Sequence, residues 1–251
     1  MQSHSIVAVS SIALVASLVG AASAGPVIYA TGDYGRELLK IDASTGAVEK
    51  ISAIDHSSLL AFGPNGKLYT ITHSAHGVAS DPNNQLATID PASGKVSPIG
   101  KPLGKGIRAW AMSFTLDGAL YAAAVDENVL YRIDPNIGTL AEVGPLDGGE
   151  SIMDFAVHPK DGTLYAITYG VLYVLDPNSA KMTKVGNVTN AHPNIMGIAF
   201  DQDGTLYAVN YDQKPLTWLY KLNPATAVAE KIADVPARYV HSADISPSSP
   251  P

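Results

Sequence analysis

The sequence predicts an all-β fold: a five-bladed β-propeller of four-stranded antiparallel blades, closed by a C-terminal strand that completes the first blade. Three observations predict it. An apolar strand ending in Leu-Tyr or Ile-Tyr recurs five times, with its tyrosine at Tyr29, Tyr69, Tyr121, Tyr165 and Tyr207. A turn residue follows each one, at Asp42, Asp90, Asp134, Asp176 and Asn223, at spacings of 48, 44, 42 and 47 residues. A period in the forties built only from strand signals points to a radial β array. Finally, Asn-Gly or Asp-Gly hairpins sit inside four repeats, at Asn65-Gly66, Asp117-Gly118, Asp161-Gly162 and Asp203-Gly204. Tight hairpins of this kind join antiparallel neighbours, which argues against a parallel solenoid.

Taken in order, residues 1–24 read as a signal peptide. Ile6 to Ala22 is apolar and uncharged, and Ala22-Ser23-Ala24 has the small-x-small form of a cleavage site. The leader MQSHS lacks the usual basic residue, so a retained N-terminal anchor is the rival reading. Residues 25–247 are expected to form one propeller domain, and 248–251 a flexible tail.

In each blade we name the strands A to D from the axis outward. Strand A is almost wholly apolar: Ser57–Phe62, Ala109–Phe114, Ile152–Val157 and Ile195–Phe200. A strand covered on both faces should read this way. Strands B carry the repeat tyrosines, strands C run into the Asp-Pro-like turns, and strands D close each repeat. The first repeat has no strand A of its own, whereas the segment Tyr239–Pro247 resembles a strand A with nothing after it. Pairing the two closes the ring and removes an open edge. The tyrosines and turn aspartates repeat without variation and are therefore read as structural, the aspartates capping their own turns through the side chain.

Composition narrows the class. The chain has no cysteine and a net charge of −7, with no basic cluster. Disulfides are excluded, and nucleic acid or an anionic membrane surface is not an expected partner. The expected protein is a secreted or periplasmic monomer, off the membrane once its leader is removed.

The repeats, with turns such as Asp90-Pro91-Ala92-Ser93-Gly94 and Asp134-Pro135-Asn136-Ile137-Gly138, resemble the bacterial secreted propellers of the quinoprotein-like, YVTN and NHL groups. The resemblance covers nearly all of the chain after the leader. It implies a propeller fold and a range of roles, from binding and scaffold modules to lyases, lactonases and dehydrogenases. The shared motif residues are structural, and no catalytic signature is carried over with them.

Function is sought where the repeat breaks. Strand A begins on the face that carries the B–C loops, and a ligand is expected there, over the channel mouth. The opposite face carries short, regular A–B hairpins and is discounted. The B–C loops differ among blades: Thr72 to Gln85 in the second, with His73, His76 and Asp81, and Asn210 to Trp218 in the fifth, with Tyr211. At the start of strand A the repeat places His56, Arg108, Ser151, Asn194 and Tyr239 at one level. Trp110 and His241 follow two residues further in, and Asp154 one beyond. These unlike side chains suggest an asymmetric mouth. Asp154 interrupts an apolar strand, where a carboxylate needs pairing or water: either it is structural and binds water or a neighbouring backbone N–H, or it belongs to the site with Arg108 or His241 as partner.

The expected ligand-binding set is therefore His56, Arg108, Trp110, Asp154, Asn194, Tyr211, Tyr239 and His241. Small molecules, carbohydrates and proteins are the candidate ligands. The alternative is a lyase or hydrolase with His241, Asp154 and Arg108 as catalytic candidates. No GxSxG, HExxH or P-loop occurs. No cofactor is expected. No metal is expected either, and the group that best suits one is His56, His73, His76 and His241. The scarcity of carboxylates near strand A disfavours a glycosidase.

Overall fold

The computed structural model describes residues 25–73, 81–104, 107–148, 151–212 and 216–247. The leader and the tail expected at 248–251 lie outside them, as do residues 74–80 of the Thr72–Gln85 loop. Among the described residues no helix is long and apolar enough to cross a membrane.

Among the described residues twenty strands make five sheets of four. The first repeat supplies β1 (Val27–Gly32), β2 (Glu37–Asp42) and β3 (Val48–Ala53). The second supplies β4 (Ala61–Phe62), β5 (Leu68–Ile71), β6 (Leu86–Ile89) and β7 (Val96–Pro98). The third runs β8 (Ala109–Phe114), β9 (Leu120–Ala124), β10 (Val129–Ile133) and β11 (Leu140–Pro145). The fourth runs β12 (Asp154–Val157), β13 (Leu164–Ile167), β14 (Val171–Leu175) and β15 (Met182–Asn187). The fifth runs β16 (Ile195–Phe200), β17 (Leu206–Asn210), β18 (Thr217–Leu222) and β19 (Ala229–Val235). Last comes β20 (His241–Ile245), which pairs antiparallel with β1, Ile28 opposite Ile245. The closure expected from the sequence is therefore present, and blade 1 has the order β20-β1-β2-β3.

The inner strand of blade 2 is shorter than the sequence suggested. Only Ala61 and Phe62 join the ladder. His56 takes a left-handed φ of 39°, and the Leu60 amide donates to Ser242 Oγ at 3.1 Å instead of to a strand neighbour.

Apolar burial is arranged between blades. The described residues form five hydrophobic clusters, one for each blade–blade interface. Each is built from the continuously apolar inner strands and the faces of the strands beside them, the dominant favourable contribution in such a fold. The repeat tyrosines serve these interfaces. Tyr29 meets Phe62 of the next blade at 5.1 Å, Tyr69 meets Phe114 at 4.9 Å, and Tyr165 meets Phe200 at 5.4 Å between ring centroids. Tyr121 shares a cluster with Val157, and Tyr207 one with Ile245.

The turn residues also do what their chemistry predicts. The side-chain oxygens of Asp42, Asp90, Asp134, Asp176 and Asn223 each accept the amide two residues on, at 2.8 to 3.0 Å. The residue four positions after each is left-handed: Gly46, Gly94, Gly138, Ala180 and Ala227. Gly46 has a second reason to be glycine, since a Cβ there would sit 2.6 Å from the carbonyl oxygen of Asp234 in blade 5. A left-handed alanine costs roughly 1–2 kcal/mol, and overpacking against fixed backbone adds about 1–3 kcal/mol. Gly46→Ala should therefore lower stability by about 2–4 kcal/mol in denaturant unfolding.

Candidate functional site

The B–C face is laced together by backbone hydrogen bonds between loops of adjacent blades. Asp33 N donates to Arg238 O, Tyr239 N to Asp212 O, Tyr211 N to Asn194 O, and Asn194 N to Tyr169 O, at 2.8 to 3.1 Å. Asn194, Tyr239 and His56, which are equivalent by repeat, all have positive φ (70°, 50° and 39°). Asp33, Tyr34 and Gly35 form a run of left-handed residues in the β1–β2 turn. Non-glycine residues held there are costly and persist only where their surroundings fix them.

This geometry gathers aromatic rings at the seam where blades 5 and 1 meet. Tyr34 stacks on Tyr239 with centroids 3.8 Å apart. Tyr211 lies 5.2 Å from Tyr239 and 6.2 Å from Tyr34. All three are half-buried. Burial, then the Tyr34 hydroxyl, pushes the Tyr211 phenol far above its ordinary value, and the Tyr34 contact raises that of Tyr239. The Tyr211 and Tyr239 phenols are therefore neutral hydrogen-bonding groups at any physiological pH. Arg238 stands over the Tyr239 ring at 5.8 Å and pairs with Asp33 at 3.0 Å. On the far side of the Trp218 ring, His192 lies 4.8 Å away and Asp212 is 3.9 Å from its Nε2.

Below this rim the channel is filled. His241 is edge-on to Tyr211 at 6.4 Å and to Trp110 at 5.8 Å. Trp110 shares one cluster with Met153 and Met196, its repeat equivalents. His241 is 0% and Trp110 5% exposed. Both stood in the expected ligand-binding set, with blade packing the structural reading of Trp110; the structure shows them packed together and buried. Arg108 lies over Trp110 at 5.2 Å and is ion-paired with Asp126.

Asp154 lies one residue deeper and is also fully buried. Its partners are of the structural kind, neighbouring backbone N–H groups, with a hydroxyl beside them. Oδ2 accepts the amides of Ile198 in blade 5 and Ala243 in blade 1, both at 2.9 Å. Oδ1 takes the Ser242 hydroxyl at 3.2 Å. Ser242 in turn accepts Leu60 N of blade 2, so the network joins four blades across the axis. Inner-strand amides facing a dry channel need acceptors, and this carboxyl supplies them.

Of the four histidines that best suit a metal, His56, His73, His76 and His241, His76 lies outside the described residues. Among the described residues no cluster of three or more potential metal ligands occurs.

Sequence reasoning missed three things. Tyr34 lies in the β1–β2 loop, and its stacking partner Tyr239 comes from the opposite end of the chain. His192 lies in a D–A link that the repeat alignment did not cover. The third miss is the discounted A–B face, which carries a pocket of about 230 Å³ at the other channel mouth. The last residue of every inner strand contributes to it: Phe62, Phe114, Val157, Phe200 and Ile245. Asp244 forms part of its wall, and burial raises that carboxyl to about 7.

These carboxyls set opposed pH effects. In the turns, the hydroxyls of Ser44, Ser93 and Ser179 hold Asp42, Asp90 and Asp176 below the ordinary value. Their contribution is present above about pH 4 and is lost as pH falls through the lowered values. Desolvation raises Asp154 and Asp244 instead, so the folded state binds more protons than the unfolded one. That contribution is complete below the unfolded value of about 4 and is lost as pH rises toward the folded value. Denaturant midpoints should therefore drop between about pH 4 and 7, and Asp244→Asn should flatten that drop.

Solved structures of similar fold include a protein of unknown function from Bacteroides thetaiotaomicron (TM-score 0.59, 14% identity, 91% of this chain and 68% of that one). A protein of unknown function from Bacteroides caccae matches at TM-score 0.56 and 13% identity, over 88% of this chain and 99% of that one. A chain of the nidogen/laminin complex matches at TM-score 0.58 and 10% identity, over 90% and 100%. The chain spans 48% of the matching chain of Kuenenia stuttgartiensis hydrazine synthase, at TM-score 0.46 and 15% identity over 70% of this one. At these identities the likeness is one of fold. No curated protein matches the sequence. The family model described as a repeat of unknown function, DUF6923, matches residues 19–191, and the chain belongs to that family.

Proposed function

We propose that this propeller is a secreted or periplasmic binding module, a scaffold that takes a carbohydrate, small-molecule or protein ligand on its B–C loop face. The observation that carries the reading is the Tyr34–Tyr211–Tyr239 cluster. It combines three half-buried rings, two of them, Tyr34 and Tyr239, stacked at 3.8 Å and both on left-handed backbone. Rings with polar tips and little side-chain freedom suit the centre of a binding surface. Arg108, Asn194 and His56 stand at the rim of the same face. The nidogen/laminin complex among the structural neighbours is an assembly by its name, which supports a protein ligand as one member of this class.

The alternative, a lyase or hydrolase, needs a base within reach of substrate. Its candidates His241 and Asp154 are fully buried, and the Asp154 oxygens are occupied by backbone amides and Ser242. Binding without turnover fits that arrangement better.

Glycan and protein-ligand arrays with the propeller domain should give hits that Tyr34→Ala and Tyr239→Ala each weaken at least about tenfold, roughly 1.4 kcal/mol. Both variants should still unfold cooperatively, with midpoints lowered modestly by loss of a stacked pair contributing about 0.5–1.5 kcal/mol. Turnover that disappears in His241→Ala, with ligand affinity intact, would favour the enzyme instead. Expressed with its own leader, the exported protein should begin at Gly25 by intact mass; a retained leader would mean an anchored protein.

A further inference from the structure

The A–B mouth combines features that the proposed B–C surface lacks. It is a formed cavity, walled by phenylalanine ends of the inner strands and by a carboxylate. Among its lining residues Asp244 is the only ionisable one. The positions equivalent to Asp244 in the other blades hold Ala61, Ser113, Ala156 and Ala199. The repeat thus places a small residue here four times and a carboxylate once. The four small residues leave room at the axis, and the fifth puts a charge into that room.

Asp244 has a structural duty as well. Its Oδ2 accepts Phe62 N at 2.6 Å and its Oδ1 accepts Ile245 N at 2.7 Å. A carboxylate has about four acceptor sites, so two amides leave half of its capacity for something in the cavity. A negative charge at an apolar wall with no neighbouring cation is costly unless a cation comes to it.

We propose that this mouth binds a small organic ammonium ion, its charged head on Asp244 and its hydrocarbon body against Phe62, Phe114 and Phe200. The volume sets the size. About 230 Å³ is the share of roughly eight waters at ~30 Å³ each, which fits an amine of fewer than about ten heavy atoms. The rim residue Gln202 is exposed, so ligand can enter from solvent.

The experiment is a calorimetric or NMR titration of the full chain with butylammonium, butanol and butyrate, which share a carbon skeleton and differ in charge. It is run at about pH 8, where Asp244 is ionised despite its raised value. Butylammonium should bind at least tenfold more tightly than either of the others. Asp244→Asn should remove that preference. Because Asp244→Asn can also loosen the blade 1–blade 2 link, Gln202→Lys provides a second test. It adds a cation at an exposed position, and should weaken butylammonium at least tenfold while leaving the unfolding midpoint unchanged. Tyr239→Ala, on the opposite mouth, should have no effect. Equal binding of butanol, survival of butylammonium binding in both variants, or its loss in Tyr239→Ala would each overturn the proposal.

Discussion

The carboxyl group of Asp154 on the propeller axis supports the rest of the architecture. In a propeller, the inner strand of each blade pairs outward with the next strand and leaves its inward edge facing a narrow, dry channel. Amides on that edge have no strand to bond to and need another acceptor. Asp154 collects two of them, from Ile198 and Ala243, and a hydroxyl, from Ser242, that itself holds Leu60 N. One side chain of blade 4 thereby couples blades 5, 1 and 2. The coupling matters most at β20, the strand that closes the ring, because Ser242 and Ala243 both belong to it. Burial raises the Asp154 carboxyl well above its ordinary value, a price of placing it where no other acceptor can reach.

Around this hub the five blades repeat the same contacts. A tyrosine of one blade packs on the last inner-strand residue of the next, and a capped turn leans on the preceding blade. These contacts account for the most regular residues without any ligand. The irregular residues are displaced to the two mouths, which differ in kind. The B–C mouth is capped by packed side chains and presents a platform of tyrosines. The A–B mouth is open to a cavity with one carboxylate in its wall.

Most of the fold was legible in the sequence because each repeat states the same local physics. Apolar inner strands, Asp-Gly hairpins and Asp-Pro turns all act within a few residues. The closing strand was legible for the same reason, since Tyr239–Pro247 has the pattern of an inner strand without the ones that follow. The site was less legible because it depends on distances across the axis. Repeat alignment placed Trp110, Asp154 and His241 at successive levels, but it could not show that large side chains from several blades would meet and fill the channel. For Asp154 it left a backbone N–H and a side-chain partner both open, and the structure gives it backbone amides, whose identity carries no sequence signature. Tyr34 and Tyr239 stack although they lie near opposite ends of the chain, a contact that follows only from ring closure. The A–B face was discounted because its hairpins are short, yet short hairpins are what leave that mouth uncovered.

The central claim is that Asp154 holds the axis together. Amide hydrogen exchange, compared residue by residue between the wild-type chain and Asp154→Ala, tests it directly. The account predicts that Ile198 and Ala243 are among the slowest amides in the wild type. In the variant both should lose protection together, and Leu60 should follow through Ser242. Unchanged protection at Ile198 and Ala243 would contradict it.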